Sequence, residues 1–324
     1  MSRRTARALT LILVMALTLS AWPSGTSRGD PGKDGDGGTV PTPVFTMQPS
    51  GRIDLDARGL TSRLFGGLPD WLTRVRGEFT WDSETGSRFA LETIQPVWQA
   101  PEQRHTLFLQ GRFSAADGEE ILNLGLGWRY LDPSGAALFG INGFYDHSFP
   151  RDHRRLGLGL EALGRYLTWR ANGYLGISGW RDVADNQEER ALDGFDSELE
   201  GALPYLPWAR VALGYYYWKR RTGRDLHGLR SRLRLQLTSF LEIEGGYAVD
   251  REEDAGFVKL RLRLADADRT EHAASRSLWG HSPLPARDLR RHVLDFVERS
   301  NTIAVERRSK SGGGRARVIV ARGS

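Results

Sequence analysis

Cysteine is absent from the 324 residues, so neither a disulfide framework nor a thiolate metal site braces this chain. Long apolar runs are also lacking. The longest, Ala8 to Ala21, falls short of the roughly 20 apolar residues that a membrane helix needs. No ligand spacing links His227, His272, His281 and His292, and Ser148 stands in no nucleophile elbow. No catalytic, cofactor-binding or metal-binding residue is therefore assigned, and the chain is not read as an enzyme. The net charge of +5 and pI near 9.6 come without a single basic stripe, which argues against a nucleic-acid partner.

What is present begins with Arg3, Arg4 and Arg7 ahead of that apolar run, followed by small residues. This predicts a secretory signal peptide over 1–21, cleaved near Ala21. Residues 22–52 are rich in Gly, Pro and Asp with little to bury, and predict a disordered linker. Inside it, Arg28-Gly29-Asp30 and the carboxylates of Asp30, Asp34 and Asp36 are incidental, the latter lacking the spacing of a calcium loop. Residues 53–72 predict a short periplasmic helical segment, with Leu60, Leu64, Phe65 and Leu68 along one side.

From 73 to 265 the pattern changes to period two. Leu122, Leu124, Leu126, Trp128 and Tyr130 alternate with Asn123, Gly125, Gly127 and Arg129, and eleven further stretches repeat the form. Successive side chains of a strand point to opposite faces, so each stretch is a strand with one oily and one polar side. An exported chain with such strands enters a membrane as a closed barrel, because only helices and barrels satisfy their backbone there. The fold class is thus all-β, a twelve-stranded antiparallel transmembrane barrel. Arginine at a barrel's lipid face costs roughly 2–4 kcal/mol at the midplane. With Arg230, Arg232 and Arg234 on one strand, the charged face must line the lumen, where Glu242 and Glu244 can pair with them. Short connections such as LDPSGA alternate with long charged ones such as DHSFPRDHR and WRDVADNQEER, as the two rims of an outer-membrane barrel require.

Several stretches, taken in order and spacing, resemble the inverse autotransporter β-domain of the intimin and invasin family. They are Asn123–Arg129, Gly140–Asp146, Arg155–Glu161, Asn172-Gly173-Tyr174 with Ser178-Gly179-Trp180, Gly194-Phe195-Asp196, Leu203–Pro207, and Val297–Ile303 after the last strand. The resemblance covers about 60 to 308. It implies an outer-membrane barrel in which the segment after the last strand threads back through the pore and carries an adhesive passenger outside. It also places Asn123, Gly125, Gly127, Arg129, Asn142, Asp146, Arg155, Glu161, Asn172, Ser178 and Asp196 toward the lumen, and Arg299, Asn301 and Ile303 in the pore-threading linker. The chain departs from the family at Ser300 and Arg307, and an adhesive passenger is expected to be absent.

Beyond the barrel, 266–301 predicts a helical linker, with Leu289, Val293, Phe296 and Val297 at helical spacing. Residues 302–324 predict a basic β-hairpin, from alternating runs around Ser-Lys-Ser-Gly-Gly-Gly, poised to plug the pore. Three functions follow. The first is a membrane anchor and export pore for the chain's own C-terminal segment. The second is a passive porin-like channel. The third is an outer-membrane protease or lipase built on Asp146-His147 and Asp152-His153, a reading weakened because adjacent pairs in a loop hold no catalytic geometry. The expected partners are outer-membrane lipid, the barrel insertion machinery and periplasmic chaperones, and the expected state is a monomer.

Overall fold

The computed structural model describes residues 70–263 apart from 117, 185, 239 and 253, then 284, 286–310 and 317–319, with two short segments, 45–47 and 53–55. The predicted signal peptide lies outside these residues, as do 56–69 of the helical segment expected over 53–72, whose first residues, Ile53–Leu55, are a strand rather than helix. Strands β1 (Phe45–Met47) and β2 (Ile53–Leu55) pair antiparallel across the end of the stretch read as a disordered linker. A single helical turn, α1 (Asp70–Thr73), leads into the barrel.

Twelve strands then close on themselves. They are β3 (Val75–Asp82), β4 (Gly86–Gln99), β5 (His105–Ala116), β6 (Glu119–Leu131), β7 (Ala137–Ser148), β8 (His153–Gly164), β9 (Leu167–Gly176), β12 (Asp193–Leu203), β13 (Leu206–Lys219), β14 (Leu226–Gln236), β15 (Leu241–Asp250) and β16 (Asp254–Arg263). Every neighbour is antiparallel, and β16 pairs with β3 through Arg261 opposite Glu78, which leaves the barrel without an edge. The two faces separate as period two demands. Leu158, Leu213 and Leu229 stand outside at 59%, 65% and 66% exposure, whereas Arg129, Arg155 and Arg261 are buried inside. The barrel is held by backbone pairing and by its polar interior, since the oily side faces hydrocarbon. At the LDPSGA turn, the Asp132 carboxylate accepts the Ser134 N–H at 3.0 Å, and Gly135 supplies the φ of +65° that closes the turn.

Two features depart from the expected chain path. The long charged connection after β9 is not a plain loop: it forms the hairpin of β10 (Arg181–Ala184) and β11 (Gln187–Ala191). Near the C-terminus, within the expected hairpin, β17 (Val305–Ser309) pairs antiparallel with β18 (Arg317–Ile319), and the departure is that β17 also pairs antiparallel with β11. The result is a four-stranded sheet, β10-β11-β17-β18, over the outer mouth.

The helix predicted from Leu289, Val293, Phe296 and Val297 is a correction. Among the described residues of this linker, only Leu289–His292 is helical, as a 3-10 turn whose Asp288 carboxylate accepts the Arg290 N–H. The rest of the described linker has no regular structure. The physical cause is the enclosure. Leu289 and Val293 pack on Leu131, Leu138 and Leu163, while Phe296 and Val297 pack on Ile94, Phe108 and Phe144. A segment walled on all sides needs no single apolar stripe, and wall side chains take over the carbonyls that a helix would have used.

Candidate functional site

The site is the lumen together with the segment inside it. Asp146 on β7 is its centre. Its carboxylate accepts from Asn123 Nδ2 on β6 at 2.8 Å, from Arg155 Nε on β8 at 2.8 Å, and from both terminal nitrogens of Arg299 on the linker at 2.8 and 2.7 Å. Strand pairing brings the three wall residues together, since Asp146 stands directly opposite Asn123 on one side and Arg155 on the other. A buried carboxylate with two guanidinium partners and an amide donor is fully satisfied, which is what permits its burial.

The wall grips the linker mainly by its backbone. Arg155 donates to the carbonyls of Ser300 (2.7 Å) and Thr302 (2.9 Å). Arg129, which pairs with Glu161, donates to the carbonyls of Val293 (3.0 Å) and Asp295 (2.6 Å). Asn123 reaches the Asn301 carbonyl at 3.0 Å, and Gln110 accepts from the Val297 N–H at 2.9 Å. Asn172 donates to Asp196 at 2.8 Å and lies 3.5 Å from the Glu298 carbonyl. The Tyr174 hydroxyl donates to Asp196 at 2.6 Å and accepts from the Ser300 N–H at 2.8 Å.

The lumen glycines make room for aromatic rings. A Cβ on Gly125 would lie 2.3 Å from the Phe144 ring, and one on Gly127 would lie 2.2 Å from Phe108. The cleared rings then carry guanidinium groups, Arg299 over Phe144 at 4.4 Å and Arg129 over Phe108 at 4.7 Å. Glycine, ring and arginine form a stack on the wall. Phe108 and Phe144 escaped the sequence reading as functional residues, although an aromatic on the polar phase of a strand is the signal that marks them.

The remaining positions are more varied. Asn142 is buried beside Gly159. Ser178 sits just past the end of β9, where its hydroxyl accepts the Arg154 N–H at 3.1 Å, and it has no bond to the linker among those described. The Asn301 side chain lines a cavity of about 20 Å³, room for a single water, and Ile303 is buried with Ala191 and Val305 under the outer sheet. The Arg232–Glu244 and Arg234–Glu244 pairs form at 3.1 Å, with Arg234–Glu242 at 3.5 Å.

At the outer mouth, Glu189 on β11 gathers Arg151, His153 and Arg307. Burial pushes its carboxyl up, but the hydrogen bonds from His153 and Arg307 and the charges of Arg151 and Arg307 outweigh this and hold it below the usual range. Glu306 on β17 accepts from the Arg221 and Thr222 N–H groups at 2.8 and 3.0 Å. Trp180 lies under the Arg308 guanidinium at 3.8 Å. The Asp-His pairs meet only through His147 and Asp152, 3.9 Å apart at the loop, and assemble no common site. Asp146 is committed inside the barrel, His147 lies on the opposite face of β7 with its ring edge-on to Phe149, and His153 is held by Glu189.

Comparison with known proteins follows the same lines. The inverse autotransporter, beta-domain family matches residues 56–301. The inverse autotransporter adhesin YeeJ of Escherichia coli K12 is 28% identical over 272 residues, which is 78% of this chain and 11% of that protein. Intimin of Escherichia coli O157:H7 is 36% identical over 162 residues, 46% of this chain and 16% of intimin, and invasin of Yersinia enterocolitica is 31% identical over 155 residues, 46% and 18%. The matches thus span less than a fifth of the length of these relatives. A solved structure from work on the in-meso crystallization of membrane proteins shares the fold, with TM-score 0.61 and 21% identity, covering 72% of this chain and 99% of that one. The chain forms a β-barrel of the bacterial outer membrane and belongs to the inverse autotransporter β-domain family.

Proposed function

We propose that this barrel is the membrane anchor and export pore for its own C-terminal segment, inserted by the barrel machinery as a monomer after chaperoned passage and cleavage of residues 1–21. One observation carries the reading. Residues 286–304 pass through the lumen, and Arg129, Arg155 and Asn123 of the wall hold them through five main-chain carbonyls. Main-chain carbonyls recur at every residue, so a wall that grips them can hold successive stretches of a moving chain with little regard to side chains. A passive channel needs an open lumen, and here the lumen is filled.

The C-terminus should therefore lie outside the cell. An epitope placed after Ser324 is expected to be stained on intact cells and removed by added protease, with the barrel left in the membrane. Staining that requires a permeabilised outer membrane would sink the export reading.

A further inference from the structure

One side of the lumen is electrostatically unbalanced. Ion pairs linked through shared partners join nine cations of the wall to six wall carboxylates, among the described residues. A seventh carboxylate, Glu298, comes from the linker. Four guanidinium groups face it: Arg76, Arg234 and Arg261 at 3.5 Å each and Arg232 at 3.8 Å.

We propose that these four guanidinium groups form a carboxylate-binding seat that belongs to the wall, which Glu298 fills in the closed state and a small free carboxylate fills when Glu298 is missing. The seat does not depend on the linker for its shape. Arg76 is held by Glu92 at 2.6 Å, Arg232 and Arg234 by Glu244 at 3.1 Å, and Arg261 by Glu78 at 2.8 Å and Glu242 at 2.6 Å. These are planar donors fixed from behind, each with a nitrogen within 3.8 Å of the Glu298 carboxylate. Removing Glu298 leaves them buried and short of a negative charge, a condition that draws in an anion. Carboxylate is the group they suit best, since it is the group they hold now. The inference concerns the wall alone and stands whichever side of the membrane the tail reaches.

The test uses the full chain in planar bilayers. Glu298→Ala, which opens space in the seat, is expected to show frequent open bursts in chloride, and millimolar formate is expected to lengthen its closed periods about tenfold beyond chloride of equal ionic strength, the scale of one charge-assisted hydrogen bond. The parent chain and Glu298→Gln, whose amide fills the space, should not respond. Formate acting no better than chloride on Glu298→Ala would overturn the proposal, as would an alanine variant as quiet as the parent. If Glu298→Ala does not assemble, the bursts of Glu298→Gln across a potassium chloride gradient decide the matter. Anion preference supports the seat, and cation preference or no preference overturns it.

Discussion

At the scale of single residues, the lumen face demands exact stereochemistry where the lipid face does not. Gly125 and Gly173 both lie on barrel strands, yet a Cβ on Gly125 meets the Phe144 ring at 2.3 Å and one on Gly173 meets nothing within 4 Å. Gly125→Ala should therefore displace Phe144 and, with it, the Arg299 guanidinium stacked on it. The expected cost is about 1–3 kcal/mol, against almost none for Gly173→Ala, read as the urea midpoint for loss of the folded, heat-modifiable band on gels. Asp146 sits at the other extreme. Asp146→Asn keeps the shape but strands two buried guanidinium groups, Arg155 and Arg299. Breaking a buried pair in this way costs about 3–5 kcal/mol. The same urea series should show it, and Arg299→Gln in the Asp146→Asn background should recover part of the loss by removing one stranded charge. A double variant no more stable than Asp146→Asn alone would show that the Asp146–Arg299 contact carries little.

At the scale of elements, the strands were legible from sequence because lipid outside and charge inside impose period two on each of them. Leu156, Leu158 and Leu160 against Arg155 and Glu161 on β8 could hardly be read otherwise. Of the outer sheet, the β17–β18 hairpin was legible, but β11 and its pairing with β17 were not. Its β11 is Gln-Glu-Glu-Arg-Ala, polar on both phases, and its partner β17 lies more than a hundred residues further along. Nothing in the local pattern records a pairing made by Arg307 with Glu189 and by Arg308 with Glu188. The linker was misread for a related reason. Its apolar spacing is helical, but the wall around it, rather than its own backbone, decides its path. The β11–β17 pairing has a direct check in a chain without cysteine. Glu188 and Arg308 are register partners, at a separation where paired cysteines bridge readily. Glu188→Cys with Arg308→Cys should form an intramolecular disulfide, seen as a mobility shift reversed by reductant, whereas Glu188→Cys with Arg317→Cys should not. Acid should loosen the same sheet. The Glu189 carboxyl is held below its ordinary value in the folded sheet, so its contribution is present above the usual glutamate range and is lost as pH falls through the lowered value. Protease access to the β17–β18 hairpin should rise below about pH 4. Glu189→Gln should show the raised access already at pH 7, with no further rise in acid from this group.

At the scale of the whole molecule, the question is which part of the tail closes the barrel. The sequence assigns that role to the hairpin over 302–324. The structure divides it. The hairpin strands β17 and β18 belong to a sheet beyond the outer ends of the barrel strands, joined edge to edge with β11. The lumen itself is filled by residues that precede it: Leu289 and Val293 near the inner rim, Phe296 and Val297 further in, then Arg299 and Ser300 beside Asp146 and Tyr174. All of these side chains are buried, and each is tied to the wall by contacts that do not involve β17 or β18. Deleting 302–324 removes the Thr302 carbonyl from Arg155 but leaves Arg155 bound to Asp146 and to the Ser300 carbonyl. That deletion should leave single-channel conductance near the parent level, with more frequent brief openings because the outer sheet no longer anchors the linker. Deleting 286–324 removes the contents of the lumen and should give stable open steps. If the shorter deletion alone opens the barrel fully, the linker is held in place by the outer sheet rather than by the wall, and the grip ascribed to Arg129, Arg155 and Asn123 is too weak to keep a chain in the pore.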